Sequence, residues 1–323
     1  MKKLLLLLFT VVMVVQVNAF TVKYYPKDVT HSQGVVAVLN DNYAPNQPWV
    51  MILHGIGERG DGGLKDLTRL KNWGPFRTNA ATDPTMDNAA DLYGFNILFI
   101  QTTNEFEKGE IQYGINFILN EFKGDSKRIY AVCNSLGGFG MAREVGKSAT
   151  TIRPFAAVVM VVMGPGSIDA TAKNWAQEKV PTWVITTSED VNNGTHPKYS
   201  RYLHDEVAKL GGPIWITELK KGSHGQIGPI INAWYKEKGT IGGWTYTNCV
   251  AAVGDACGAS NSMYTWMLNQ VKGQTAKSPN NKLPVPTPED IKQTVPPIVE
   301  PIKPKVIETI QLYDDGTWKK IAS

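Results

Sequence analysis

The chain has 323 residues, of which 42% are hydrophobic and 19% are charged, and its formal net charge is +4. This composition indicates one globular domain that buries a large core, with room for additional segments. The small excess of positive charge gives no indication of a nucleic-acid partner, so we expect none.

Residues 1–19 have the three parts of a secretory signal. Two lysines precede an apolar run at residues 4–15, and residues 17–19 place small side chains at the recognition positions, so cleavage is expected before Phe20. A membrane anchor is the alternative, but the run is shorter than the roughly 20 residues that span a bilayer. Because Phe20, and not a cysteine, stands directly after the cleavage site, we expect a secreted protein, extracellular or periplasmic, with neither a lipid anchor nor a membrane contact after cleavage.

The mature chain opens with strand-like segments. Residues 21–25 and 34–39 predict an antiparallel pair. The continuous apolar run Trp49-Val50-Met51-Ile52-Leu53 then predicts a strand that is buried on both faces, as in a parallel sheet. This strand leads into the glycine-rich loop His54-Gly55-Ile56-Gly57-Glu58-Arg59-Gly60.

The glycines of this loop match the G-x-G-x-x-G pattern of dinucleotide-binding proteins. We reject that interpretation because the pattern requires a helix to open inside the glycines, whereas helical spacing begins here only at Leu64. A His-Gly loop after an early strand instead suits an oxyanion hole, to which Ile56 would contribute its backbone N–H. Glu58 and Arg59 are interpreted as surface charges that either form an ion pair or do nothing. We expect no cofactor and find no motif with useful metal-ligand spacing.

Strand-like and helical segments alternate through the rest of the chain, which predicts an α/β protein. Residues 71–94 are irregular and polar and are expected near the rim of a cleft. The further predicted strands are 95–100, 128–133, 155–163, 180–187 and 213–219, and the predicted helices are 110–122, the segment after Ser135, 197–210, 225–239 and 262–271.

The apolar run at 128–133 leads into the most informative stretch, Asn134-Ser135-Leu136-Gly137-Gly138, after which helical spacing follows at once. A sharp turn between a strand and a helix exposes a serine hydroxyl at the sheet edge, and small neighbours let the helix and the strand approach closely. Ser135 is therefore the candidate nucleophile, and the backbone N–H of Leu136 is the second candidate oxyanion donor. The alternative is a glycine-rich loop that caps an ordinary helix.

A candidate acid and a candidate base follow in chain order. The strand predicted at 180–187 ends in Ser188-Glu189-Asp190, where the acid of a catalytic triad is expected. Asp190 is preferred over Glu189 because the loop turns directly after it, and a helix or turn cap is the alternative for either. His224 lies in a glycine-flanked loop after the strand predicted at 213–219, and of the five histidines it alone has the chain position of a base that follows the acid.

The three cysteines have different predicted roles. Cys133 stands where the usual G-x-S-x-G pattern has its first glycine, and we interpret it as packing beneath the turn, with a reactive thiol as the alternative. Cys249 and Cys257 flank a short glycine-containing loop, so in an oxidising exterior they are expected to form a local disulfide. Two free buried thiols are the alternative.

The predicted domain organisation is a signal peptide at 1–19, a catalytic domain at 20–275, a linker at 276–304 and a tail at 305–323. The linker is rich in proline, which is typical of an extended, semi-rigid segment. The tail contains two β-like runs around an Asp-Asp-Gly turn and predicts a β-hairpin. Because a hairpin of this size does not fold alone, we expect it to dock on the catalytic domain or on a partner.

The order and spacing of these motifs resemble those of secreted α/β-hydrolase esterases over roughly residues 34 to 270. The groups that are most similar are the esterases related to feruloyl and acetyl-xylan esterases, the polyhydroxybutyrate depolymerases and the dienelactone hydrolase-like proteins. The resemblance implies an α/β-hydrolase fold with a mostly parallel central sheet and helices on both faces. It also implies a triad of Ser135, Asp190 and His224, with Ile56 and Leu136 as oxyanion donors. The chain departs from the family at Cys133 and after Asp190, where the usual valine-proline is missing.

The expected function is that of a secreted serine ester hydrolase that works through an acyl-enzyme. The resemblance favours feruloyl or acetyl esters of plant polysaccharide, or short polyesters, as the partner molecules. A serine peptidase of the same fold is one alternative, and a non-catalytic carbohydrate-binding or surface-display protein is another. The sequence gives no indication of the oligomeric state.

Overall fold

The structure is a computed structural model, and a subset of the chain is described. The described residues are 21–40, 42–72, 94–164, 168–191, 194–219, 223–224, 240–241, 244–245, 249–250, 263–279, 281, 308–312 and 318–321. The predicted signal peptide, the helix predicted at 225–239 and most of the proline-rich linker lie outside these residues. In the described part of the chain, no helix is long and apolar enough to cross a membrane.

The core of the fold is a single sheet, and a separate antiparallel pair of strands lies outside it. The strands are β1 (Thr21–Tyr25), β2 (Val35–Leu39), β3 (Trp49–Leu53), β4 (Asn96–Ile100), β5 (Ile129–Asn134), β6 (Ala157–Val161), β7 (Thr182–Thr187), β8 (Ile214–Leu219), β9 (Thr240–Ile241), β10 (Trp244–Thr245), β11 (Cys249–Val250), β12 (Glu308–Leu312) and β13 (Trp318–Ile321). The strands of the sheet follow the order β11-β8-β7-β6-β5-β3-β4-β2-β1-β12-β13, and β9 and β10 form the separate pair.

Six neighbouring strands, from β4 through β3, β5, β6 and β7 to β8, are parallel, and β2 joins them antiparallel. Alternate residues of these strands enter two separate apolar cores, because successive side chains of a strand point to opposite faces. In β3, for example, Trp49 and Met51 belong to one core and Val50 and Ile52 to the other. Burial on both faces explains why these strands are continuous apolar runs in the sequence.

Helices cover both faces of the sheet. They are α1 (Leu64–Leu67), α2 (Lys108–Glu121), α3 (Leu136–Lys147), α4 (Ile168–Glu178), α5 (Pro197–Lys209) and α6 (Met263–Leu268). Side chains of α2 to α5 fill one core, and side chains of α1 and α6 fill the other. Local chemistry fixes where two of these helices begin. A capping box between Glu107 and Glu110 starts α2, and Pro197 occupies the first turn of α5.

A mostly parallel sheet in the order β1-β2-β4-β3-β5-β6-β7-β8, with helices on both faces, is the α/β-hydrolase fold, and the predicted fold class is confirmed. The predicted opening pair of strands is also present. The strand predicted at 155–163 is shorter in the structure, and the helix predicted at 262–271 spans only 263–268.

The sheet extends beyond the predicted core strands at both of its ends. At one end the two-residue strand β11, which the sequence does not predict, pairs antiparallel with the strand predicted at 213–219. At the opposite edge, the predicted C-terminal hairpin forms β12 and β13, and β12 pairs antiparallel with β1 so that Ile310 lies opposite Val22. The tail therefore extends the central sheet, which is one of the two docking places expected for it, the other being a partner.

Candidate active site

Ser135 occupies a sharp turn between the end of β5 and the start of α3. Its backbone has φ 50° and ψ −107°, a conformation that residues with a side chain rarely adopt. Three hydrogen bonds hold the turn: the Ser135 N–H donates to Val161 O at 2.9 Å, the Phe139 N–H donates to Ser135 O at 2.9 Å, and the Gly137 N–H donates to His54 O at 2.9 Å. Strain of this kind persists only where the surroundings impose it, and it is concentrated at functional sites.

The predicted need for small residues beside this turn is met at Gly137 and Gly138. A Cβ atom on Gly137 would lie 2.2 Å from the backbone oxygen of Leu53, and one on Gly138 would lie 3.1 Å from the Cβ of Met163. The departure at Cys133 does not prevent the turn from forming. The Cys133 side chain is fully buried in the core beneath α3, as predicted, where its volume is accommodated.

Cys133 is expected to be unreactive in the folded protein. Burial raises the pKa of its thiol, so the nucleophilic thiolate is disfavoured, and the side chain is closed to reagents. Native protein treated with iodoacetamide should carry no label at Cys133 by peptide mass spectrometry, whereas protein unfolded in guanidinium should be labelled there completely. Rapid labelling of the folded protein at Cys133 would support the alternative of a reactive thiol.

The three predicted triad side chains lie in one hydrogen-bonded line. The Oγ of Ser135 is 2.9 Å from Nε2 of His224, and Nδ1 of His224 is 2.8 Å from Oδ2 of Asp190. The Asp190 carboxylate is almost fully buried, whereas His224 is partly exposed. The three residues follow β5, β7 and β8, whose carboxyl ends meet at the same edge because the strands are parallel. This arrangement has the geometry that activates a serine for nucleophilic attack.

The preference for Asp190 over Glu189 agrees with this geometry. The hydrogen bond between Asp190 and His224 places the aspartate at the imidazole, while the side chain of Glu189 is exposed. Asp190 also accepts a hydrogen bond from the Thr195 hydroxyl at 2.8 Å. Sequence reasoning did not single out Thr195, because only the fold of the loop after β7 brings its hydroxyl to the carboxylate.

The other described histidines lie outside this line. His31 interacts with Asp28, His196 caps the start of α5, and His204 is buried on the same helix.

His54 is buried in the glycine-rich loop, where its Nδ1 lies 2.6 Å from Gly55 O and its Nε2 accepts a hydrogen bond from the Thr102 N–H at 3.2 Å. His54 is thus a neutral imidazole that fixes the loop.

The glycine-rich loop packs directly against the serine turn. A Cβ on Gly55 would lie 3.8 Å from the Cβ of Ser135, so the backbone that leads to Ile56 runs beside the nucleophile. Leu136 and Ile56 are the first residues of α3 and of a short 3₁₀ helix, positions whose N–H groups have no partner within their own helix. Among the described residues neither N–H donates a hydrogen bond, as a candidate oxyanion donor requires.

Glu58 differs from its prediction as a surface charge. The residue is only 5% exposed and forms no ion pair with Arg59, and its Oε2 has no hydrogen-bond partner among the described residues. Burial raises the pKa of the Glu58 carboxyl to about 7, although the N–H groups of Glu58 and Gly55 oppose that shift. The sequence could not reveal this, because the spacing of a glycine-rich loop does not determine which of its side chains turns inward.

We expect Glu58 and His54 to give opposite pH dependences of stability. Burial lowers the pKa of the His54 imidazole to about 4, so its contribution is present above pH 6.5 and is lost as the pH falls through about 4. The Glu58 contribution is present below pH 4.5 and is lost as the pH rises through about 7. Between its pKa in the folded protein and its pKa in the unfolded chain, each group changes the free energy of unfolding by up to about 1.4 kcal/mol per pH unit, and the two changes have opposite signs.

Replacing Glu58 by glutamine should therefore leave the His54 effect unbalanced. The free energy of unfolding of Glu58→Gln minus that of the wild type should increase as the pH is raised from 4.5 to 6.5. Urea unfolding at each pH measures this difference. The matched control is Glu189→Gln, which makes the same change at an exposed glutamate. Parallel curves for Glu58→Gln and wild type would show that Glu58 is ionised in the folded protein throughout this range.

The remaining predictions concern metal ligands and the disulfide between Cys249 and Cys257. Among those residues no group of three or more His, Cys, Asp and Glu side chains could hold a metal ion. The predicted disulfide cannot be placed, because Cys257 lies outside the described residues and Cys249 is described only as part of β11. The pairing of Cys249 with Cys257 stays a prediction.

No protein-family model and no curated protein sequence matches the chain. Solved structures are similar to it. A thermostable esterase is 21% identical over 66% of this chain and 60% of its own, with a TM-score of 0.49. An acylaminoacyl peptidase of Pyrococcus horikoshii is 15% identical over 64% of this chain and 38% of its own, with a TM-score of 0.45. An α/β hydrolase from a Medee basin deep-sea metagenome library is 14% identical over 68% of this chain and 87% of its own, with a TM-score of 0.43.

The chain therefore spans less than two thirds of the length of the esterase and of the peptidase. All three identities are below 25% and all three TM-scores are below 0.5, so these similarities assign no reaction to the chain.

Proposed function

We propose that the chain is a serine hydrolase that cleaves carboxylic esters through an acyl-enzyme on Ser135. The observation that carries this proposal is the hydrogen-bonded line from Ser135 Oγ through His224 to the buried carboxylate of Asp190. The strained backbone of Ser135 is a second support, because a turn of this kind holds the hydroxyl away from the sheet and toward a substrate.

The proposed reaction has two halves, acylation and deacylation, and both use the same groups. Ser135 Oγ attacks the ester carbonyl carbon while its proton passes to His224 Nε2, and the resulting oxyanion accepts hydrogen bonds from the N–H groups of Ile56 and Leu136. Asp190 holds the Nδ1–H tautomer and stabilises the imidazolium. The imidazolium then protonates the leaving alcohol as the carbon–oxygen bond of the ester breaks. Water then gives a proton to His224 as it attacks the acyl-enzyme carbonyl, and the imidazolium returns that proton to Ser135 Oγ as the bond between Oγ and the acyl carbon breaks and the acid leaves.

The proposed substrates are feruloyl or acetyl esters of plant polysaccharide, or short polyesters, acted on outside the cell. The resemblance of the motifs to those of secreted esterases supports the substrate class, and the predicted signal at 1–19 supports secretion. The exposed side chain of Ile56 supports a substrate with an apolar group. Its side chain is 59% exposed in the loop that packs on the serine turn, so it offers apolar surface where an acyl group or an aromatic ring would bind.

Turnover of matched ester and amide substrates tests the proposal. The mature protein should hydrolyse p-nitrophenyl acetate and methyl ferulate, with p-nitroacetanilide as the amide control, which should react far more slowly. Faster cleavage of amides than of esters would favour a peptidase. A folded protein that hydrolyses none of these substrates but binds insoluble xylan would contradict the esterase proposal and support a binding role.

A further inference from the structure

We infer that Thr195 is a positioning residue that controls the proton on Nδ1 of His224, an inference that rests on the proposed function. Its hydroxyl oxygen lies 2.8 Å from Asp190 Oδ2 and 3.0 Å from His224 Nδ1, while that Nδ1 lies 2.8 Å from the same Oδ2. The three polar atoms therefore form a closed triangle. Thr195 is only 7% exposed, so water competes little for these contacts.

The protonation state of the triangle follows from the reaction. For Nε2 of His224 to accept the proton of Ser135, the ring proton must be on Nδ1. Nδ1 then cannot accept, so the Thr195 hydroxyl has one acceptor in the triangle, the Asp190 carboxylate. With its proton directed there, the Thr195 oxygen presents a lone pair to the Nδ1–H. That N–H is thus shared between two acceptors, Asp190 Oδ2 and Thr195 Oγ1.

This sharing has two consequences for the proposed base. Asp190 Oδ2 is buried with two donors, which compensates for its desolvation and fixes the side chain. The imidazole is held from two directions at Nδ1, so its Nε2 stays aligned with Ser135 Oγ. A single contact would leave the ring free to tilt about the Asp190 hydrogen bond.

The neighbouring backbone holds Thr195 in place. Residue 194 packs against the loop after β6, because a Cβ on Gly164 would lie 2.8 Å from Gly194 O. On the other side, the His196 side chain accepts a hydrogen bond from the Lys198 N–H at 3.1 Å, and Pro197 begins α5. The hydroxyl is therefore presented from a segment that is fixed at both ends.

Thr195→Val tests the inference, because valine has the shape of threonine without its hydroxyl. We expect kcat on p-nitrophenyl acetate to fall about 10- to 100-fold with KM nearly unchanged, since hydrogen bonds to charged groups have effects of that size. Thr195→Ser should restore kcat to within a few-fold of wild type. The matched control is Thr171→Val, which removes a buried hydroxyl that donates to Ala142 O at 2.7 Å in the helical layer, and it should leave kcat unchanged.

Proton NMR gives a readout that does not depend on turnover. The Nδ1–H resonance of His224 should move downfield in Thr195→Val, because the proton loses its second acceptor and bonds more strongly to Asp190 alone, and it should return to the wild-type position in Thr195→Ser. A nuclear Overhauser effect between this proton and the Thr195 methyl group is expected in the wild type. This measurement does not require Thr195→Val to fold.

The outcomes separate this inference from the proposed function. An unmoved resonance together with an unchanged kcat in Thr195→Val would overturn the role of Thr195 while leaving the esterase intact. Absence of the Overhauser effect in the wild type would also overturn it. A wild type without hydrolytic activity would instead overturn the proposed function, and the resonance would still report whether the triangle exists.

Discussion

Replacing Ser135 by alanine is expected to lower kcat on p-nitrophenyl acetate by about four orders of magnitude or more, because no other group in the hydrogen-bonded line can form the acyl-enzyme. His224→Ala should cause a loss of similar size, since the serine then has no base. The double variant should be little worse than either single variant, because the two residues act as one unit. Steady-state kinetics of the three variants measures this directly.

Ser200→Ala is the matched control for this experiment. Ser200 lies on α5, is fully buried, and its hydroxyl has no hydrogen-bond partner among the described residues. Its replacement should leave kcat and KM at the wild-type values. Retention of more than about a tenth of the wild-type kcat by Ser135→Ala would contradict the assignment of the nucleophile, because loss of a triad member has far larger effects.

Gly137→Ala is expected to be the most destabilising single-methyl addition in the site. The new Cβ would lie 2.2 Å from the backbone oxygen and 2.5 Å from the carbonyl carbon of Leu53, and a central strand cannot yield as a flexible side chain does. We expect the free energy of unfolding to fall by about 3 kcal/mol or more. Activity should fall too, because α3 would be pushed away from β3 and would carry Ser135 with it.

Gly109→Ala is the control, because it makes the same change in a helix where a Cβ on Gly109 meets nothing within 4 Å. It should be neutral or stabilising by up to about 1 kcal/mol, since alanine is the better helix former. Urea unfolding followed by circular dichroism compares the two variants. Equal midpoints for Gly137→Ala and wild type would show that α3 and β3 do not approach as closely as the structure indicates.

Much of the fold could be predicted from the sequence because its central strands are buried on both faces. Trp49 to Leu53 and Ala157 to Val161 are continuous apolar runs, and a run of that length between turn signals indicates a strand. The sheet edges could not be predicted in the same way. A two-residue strand such as β11 has no periodicity, and the pairing of β12 with β1 joins segments that are almost the whole chain apart.

In the candidate site, too, the residues that follow predicted strands could be predicted, and those placed by loop folding could not. Ser135, Asp190 and His224 could be proposed because each follows a predicted strand and the carboxyl ends of parallel strands meet. Thr195 and Glu58 could not be assigned their positions, since both lie in loops where the direction of a side chain depends on tertiary contacts. The Thr195 hydroxyl meets His224 across 29 residues of chain, and no local pattern encodes that contact.

Covalent labelling of the serine tests the central claim most directly. The mature protein should be inactivated by a stoichiometric amount of diethyl p-nitrophenyl phosphate, and peptide mass spectrometry should place one diethylphosphoryl group on Ser135. Ser135→Ala and His224→Ala should remain unlabelled under the same conditions. A label on any other residue, or ester hydrolysis that continues unchanged after Ser135 is blocked, would contradict an acyl-enzyme on this serine.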